Sequence, residues 1–172
     1  LYIFVSTFKG GKMRPANGKI YFAGPLFGMA DKLFNKQLAK ILCSEYGYEV
    51  LLPQDFDVNE NMDEVRDPVK IAKTDIEALE SSDVILVNCD GADVDSGTAF
   101  ELGWAVRDHK ITVAWRTDSR EFAKGERFNA MLYLASQVVI CCQKSSHIQQ
   151  LAFLIHEAIG KERINRGIYH VK

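Results

Sequence analysis

The chain has 172 residues, 47% of them apolar, with 21 Lys+Arg against 23 Asp+Glu and a formal net charge of −2. That length suits a single compact domain, and the near-neutral balance removes any global electrostatic drive toward nucleic acid or an acidic membrane surface. No apolar run approaches the roughly 20 residues that a membrane-spanning helix needs, so the sequence predicts a soluble globular protein with neither nucleic acid nor membrane as partner.

Residues 1–5 are apolar but too short for a signal-peptide core and have no basic flank ahead of them, so they read as an extra strand or a leader preceding Met13. Residues 9–18 are rich in Gly and Lys with one Pro, the composition of a linker. Residues 1–18 are therefore expected to be an extension or linker, with the main domain beginning at Lys19. From there short apolar runs alternate with stretches of helical period, the pattern of an α/β fold around a parallel sheet. Strands are predicted over residues 19–23, 48–52, 83–88, 111–115 and 138–142. The run Val84-Ile85-Leu86-Val87 has no polar alternation, so it should be covered on both faces.

Between the strands, Leu38, Ile41 and Leu42 recur at helical spacing, as do Ile148, Leu151, Ala152, Ile155 and Ile159. Asp67-Pro68 opens a helix expected to run to Glu80, and another is expected from Gly97 to Arg107. With no internal repeat, five strands and five helices make one doubly wound domain over residues 19–160, helices on both faces, followed by a tail at 161–172. The four cysteines, Cys43, Cys89, Cys141 and Cys142, match neither a zinc ribbon nor a CxxC pair and lie in apolar segments. They are expected to be buried, reduced thiols, which places the protein in the cytoplasm.

In doubly wound sheets ligands sit beyond the carboxyl ends of the strands. The first strand is followed by Gly24-Pro25-Leu26-Phe27-Gly28, the second by Pro53-Gln54-Asp55, and the third by a stretch from Cys89 to Glu101. The third concentrates carboxylates where a strand gives way to a helix. Glu101 is expected in the first turn or so of that helix, where unpaired amides and the helix dipole favour negative charge. An ionised Glu at the mouth of a cleft is a candidate nucleophile. The same residues also fit ordinary capping, since Asp, Ser and Thr are N-cap residues and an early Glu complements the dipole. Asp75, inside the helix predicted from Pro68, fits either a site or a solvated face.

Several chemistries lack their residues. Residues 24–28 do not have the GxGxxG spacing, and no GxxxxGK[ST] or GxSxG occurs. The histidines (His109, His147, His156, His170) are scattered without ligand spacing, so neither a metal nor another cofactor is expected.

Four pieces taken together, Lys19-Ile20-Tyr21-Phe22-Ala23-Gly24-Pro25, Asp75, Asp95-Ser96-Gly97-Thr98-Ala99-Phe100-Glu101-Leu102-Gly103 and Phe128-Asn129-Ala130-Met131-Leu132-Tyr133, resemble the nucleoside 2-deoxyribosyltransferase family. The resemblance spans about Lys19 to Ser136 and implies a flavodoxin-like fold. It implies that Glu101 is the nucleophile attacking the anomeric carbon, and that Asp75 and Asp95 bind the sugar and handle the proton of the leaving base. Tyr21 would orient Glu101 through its phenol. Asn129 would reach into a neighbouring subunit's site to hold the sugar 5′-hydroxyl, in a homo-oligomer, dimer or hexamer, with shared sites. Deoxyribonucleosides and free nucleobases would be the substrates. Gly24 belongs to the first-loop match, and Phe27 is a candidate base contact that could equally be core.

The residue types suit that chemistry. Cleaving an N-glycosidic bond builds positive charge on the sugar, which one carboxylate stabilises and then captures, while a second protonates the departing base. Two competing readings stand beside it: a hydrolase of 2-deoxynucleoside 5′-monophosphates, with water as acceptor, and a non-catalytic flavodoxin-like nucleotide-binding module. The chain departs from the family pattern in its N-terminal extension and in a tail that carries Tyr169 where a well-studied branch ends in a carboxylate.

Overall fold

A computed structural model describes residues 17–56, 67–142 and 146–167. The chain order is β1 (Lys19–Ala23), α1 (Met29–Tyr46), β2 (Glu49–Leu51), a 3₁₀ turn (Pro53–Asp55), α2 (Pro68–Glu80), β3 (Val84–Asn88), α3 (Ser96–Arg107), β4 (Ile111–Arg116), α4 (Ala130–Ala135), β5 (Val138–Cys141) and α5 (Ile148–Asn165). All strand pairs are parallel, in the order β2-β1-β3-β4-β5. The doubly wound α/β class and the five-stranded parallel sheet expected from the sequence are therefore present.

The central stretches of the strands are mostly apolar, as a sheet covered by helices on both faces requires. Alternation along the strands sorts their side chains into two cores. Ile20, Phe22, Val84, Leu86, Val113 and Trp115 pack with Leu38, Leu42, Leu151, Ile155 and Ile159 of α1 and α5. Tyr21, Ala23, Ile85, Val87 and Ala114 pack on the opposite face with Leu79, Leu102 and Ala105 of α2 and α3. Leu86 is fully buried, and its truncation to Ala would cost about 2–5 kcal/mol. The helix ends are set by the residues that the sequence offers. Gly47, at φ 66°, closes α1 in the left-handed conformation, and its N–H reaches the carbonyls of Cys43 and Leu42. Asp67 caps α2, its carboxylate accepting from Val69 N at 3.0 Å and Lys70 N at 3.2 Å, with Pro68 at the first helical position.

The differences from the sequence reading are local. β4 runs one residue further, to Arg116, and β2 is shorter at both ends. α5 continues past Gly160 to Asn165, and its buried Arg163 donates to Asn17 O at 2.8 Å. Cys89 and Cys142 are buried, but Cys43 and Cys141 are exposed. Cys43 sits on the outer face of α1 and Cys141 at the end of the edge strand β5, where neither layer covers them. Residues 1–16, which include the extra strand or leader and most of the linker, and Tyr169 in the tail lie outside the described residues. Among the described residues no helix is long and apolar enough to cross a membrane.

Candidate active site

The sheet order changes direction between β1 and β3, and a cleft of about 190 Å³ opens beyond the carboxyl ends of the strands there. Glu101, Asp75 and Asp95 line it, with Gly24 and Phe27 from the loop after β1. A second cavity of about 230 Å³, lined by Phe34, Thr117, Cys142 and His147 near the start of α5, contains none of the residues expected from the sequence.

Alternation in β1 directs Tyr21 to the face covered by α2 and α3. Its side chain is fully buried, and its phenol donates to Glu101 Oε1 at 2.6 Å. Burial, then the charge of Glu101 and the hydrogen bond to it, then the charge of Asp75, all raise the Tyr21 pKa, so the phenol stays protonated. Glu101 lies in the second turn of α3 and not in the first, because the helix already begins at Ser96 with Asp95 as its cap. Its carboxyl is pushed up to about 7 by burial; the Tyr21 hydrogen bond opposes that shift, and the nearby charges of Asp75 and Asp95 add to it. Desolvation and two like charges thus outweigh the pull of the helix amino end toward the ionised form.

Asp95 combines both roles weighed for it. Its Oδ2 accepts from Thr98 N at 3.0 Å and from Thr98 Oγ1 at 3.2 Å, capping α3, and its side chain also borders the cleft. Asp75 lies on the inner side of α2, half-buried at the cleft and near enough to Tyr21 and Glu101 to shift both. The solvated-face reading does not hold for it. A Cβ at Gly24 would stand 2.8 Å from Asn88 Cβ, so glycine lets the end of β1 lie close against β3. Phe27 is 69% exposed at the rim of the cleft, which excludes the core alternative.

Asn129 is not brought to this cleft. It is exposed and caps α4, accepting from Met131 N at 2.9 Å. Leu26, Pro53, Ile71, Gly97 and Thr98, to none of which the sequence assigns a role of its own, complete the lining. Next to Pro53, Gln54 donates from Nε2 to Lys32 O at 3.0 Å and keeps a buried Oε1 without a protein partner among the described residues. Its place directly after the second strand was the signal that could have found it. Among the described residues no group of three His, Cys, Asp or Glu side chains is disposed to hold a metal ion.

Compared with known proteins, residues 20–147 match the sequence model of the family described as nucleoside 2-deoxyribosyltransferase. No curated protein gives a significant sequence match. In fold, the chain is similar to a conserved protein from Enterococcus faecalis V583, at 26% identity and TM-score 0.66, over 84% of this chain and 98% of that one. It is similar also to a 2-desoxiribosyltransferase from Leishmania mexicana, at 24% identity and TM-score 0.58, covering 80% of this chain and 95% of that one. A third solved structure, the Clostridium botulinum CMP N-glycosidase BcmB, matches at 21% identity and TM-score 0.54, over 79% of this chain and 98% of that one.

Proposed function

Because the chain belongs to the nucleoside 2-deoxyribosyltransferase family, we propose that it transfers 2-deoxyribose between nucleobases by a retaining double displacement through a covalent deoxyribosyl-Glu101 intermediate. One observation carries this reading: the Glu101 carboxyl, tied at 2.6 Å to the buried Tyr21 phenol, faces a cleft that it shares with Asp75 and Asp95.

In the first half-reaction a Glu101 oxygen attacks the anomeric carbon as the bond to the base nitrogen breaks, and that electron pair leaves with the base. A carboxyl group at Asp95 or Asp75 gives the base its proton. The free base of a second nucleobase then attacks the same carbon, the ester bond breaks and Glu101 regains its charge, while the accompanying carboxylate takes up the acceptor's proton. Two inversions give retention. The Tyr21 phenol fixes one Glu101 oxygen, leaving the other to attack, and Phe27 offers an apolar ring to the base at the rim.

Substrates on this reading are deoxyribonucleosides and free nucleobases. Three carboxylates border the cleft, and their charge disfavours a 5′-phosphate dianion, so a neutral nucleoside fits better than a monophosphate. Asn129, exposed and outside the lining of its own cleft, would serve a neighbouring subunit in a homo-oligomer. The four free thiols fit a reducing cytoplasm.

The test is incubation of a deoxynucleoside with a different free base, with chromatographic analysis of the products. Exchange of the base supports transfer. Free deoxyribose, or its phosphate, as the sole sugar product would establish hydrolysis instead. Mass spectrometry after exposure to a 2-fluoro-2-deoxynucleoside should locate the sugar on Glu101. Intact binding without an adduct would favour a non-catalytic module.

A further inference from the structure

Arg116, the last residue of β4, is 1% exposed, which is costly for a guanidinium unless its donors are used. Its Nη1 donates to the carbonyl of Cys89, and Nη2 to that of Gly91 at 2.9 Å. Both acceptors lie in the loop leaving β3, the loop that ends at Asp95. Asp90, between them, makes the reverse connection. Its Oδ1 accepts from Thr117 N at 2.6 Å and Asp118 N at 2.7 Å, and its Oδ2 accepts from Thr117 Oγ1 at 2.5 Å. The loop after β3 is thus gripped by a cation from the end of β4, while the loop after β4 is gripped by an anion from the end of β3. Five hydrogen bonds cross between two segments that otherwise meet only as neighbouring strand ends.

Nothing in the strand pairing requires this. β3 and β4 are already registered from Val84↔Ile111 to Asn88↔Trp115. The cross-links begin where that register stops, and they act on the three residues that launch the chain toward the capping carboxylate of α3. The guanidinium also lies 3.7 Å from Asp118 Oδ2, so its removal would leave the carbonyls of Cys89 and Gly91 without this donor and Asp118 without this partner. What the buried charge adds is a fixed path for a loop that would otherwise choose among several.

We propose that Arg116 and Asp90 are positioning residues, a reciprocal brace that sets the path of the β3–α3 loop and so holds Asp95 and the start of α3 in register with Glu101 and the cleft. Neither touches the reacting atoms. The proposal rests on the reading of Asp95 and Glu101 as the reacting carboxylates, and its test is arranged to separate the two.

The variants are Arg116→Met and Asp90→Asn, singly and together, in the full chain. Displacement of a reacting group by about 1 Å costs on the order of 10²-fold in rate. The expected result is a fall in kcat of about that size, with KM little changed, at a temperature where each variant remains folded; Arg116→Met should also melt lower, since it leaves the acceptors of Arg116 without this donor. The double variant should be no worse than the poorer single, since both cut one brace. Arg116→Lys, which can reach one carbonyl but cannot fork, should recover part of the loss. Hydrogen exchange supplies a readout independent of turnover: amides of residues 89–98 should exchange faster in the variants, with those of β1 unchanged. Unaltered exchange in 89–98, or rate losses that multiply in the double variant, would overturn the brace. Should Arg116→Met not fold, Asp90→Asn carries the same test. If the wild type transfers no sugar, the functional reading fails, and the amide exchange still decides whether the brace exists.

Discussion

The Tyr21 phenol and Glu101 Oε1 are joined at 2.6 Å although 80 positions apart in the chain. The bond connects the first strand to the helix that follows the third, and it stabilises the ionised form of a carboxyl that burial would otherwise keep neutral. Replacing Tyr21 with Phe removes this donor and little else. Transfer should fall by about 10²-fold, as for the loss of one preorganised donor. The acidic limb of the rate profile should also move to higher pH, because the bond lowers the Glu101 pKa. A profile that loses amplitude without moving would assign Tyr21 to packing.

The Glu101 carboxyl ionises at about 7 in the folded chain, against an ordinary 4.5. Transfer should therefore rise with pH through about 7 as the nucleophile ionises. Stability should run the other way. Between the two values the folded chain holds a proton that the unfolded chain has released, so folding weakens as pH rises across that window. The penalty is about 3 kcal/mol above pH 7, taking about 1.4 kcal/mol per pH unit. Glu101→Gln should abolish transfer and yet melt higher than wild type at pH 8, with the two alike near pH 4. Urea titrations at both values check it, and equal stabilities at pH 8 would contradict the buried charge.

Asp95 serves as cap and as cleft carboxylate, and Asp95→Asn separates the two. Asn caps a helix about as well as Asp, so stability should hold. Transfer should drop by about 10²–10⁴-fold, the range for a lost general acid or base, with an altered pH dependence. An unchanged profile would leave Asp95 a cap alone.

Asn129 is exposed and caps α4, outside the cleft of its own chain. If it completes the site of a neighbouring subunit, Asn129→Ala and Glu101→Ala should each be poorly active alone and regain activity when mixed under conditions that exchange subunits. Sedimentation should show an oligomer. A monomer that remains fully active would exclude the shared site.

Much of this arrangement could be read from the residues in order. Val84-Ile85-Leu86-Val87 gave a strand covered on both sides, Asp67-Pro68 gave the start of α2 to the residue, and the acidic stretch before α3 marked the cleft. Other features depend on partners distant in sequence. An arginine closing a strand looks like a solvated end, whereas Arg116 is buried against the carbonyls of Cys89 and Gly91, Asp118 and the ring of Phe122. Glu101 illustrates a sign that local chemistry gets wrong. The helix terminus is local and favours charge, whereas the burial and the two carboxylates that oppose it arrive by tertiary packing. Cys43 and Cys141 were misplaced because an apolar neighbourhood in sequence does not reveal which side of a helix or an edge strand faces outward.

Asp75, Asp95 and Glu101, which line the cleft, and Tyr21, which holds Glu101 from behind it, are supplied by three separate stretches of chain, and only the assembled sheet brings them together. A partly folded intermediate would have a phenol without its carboxylate, or the carboxylates without a wall between them. Turnover is consequently an all-or-none property of the tertiary structure: followed through a denaturant titration, it should vanish along the same sigmoid as the circular dichroism of the sheet, with no surviving fragment that still works.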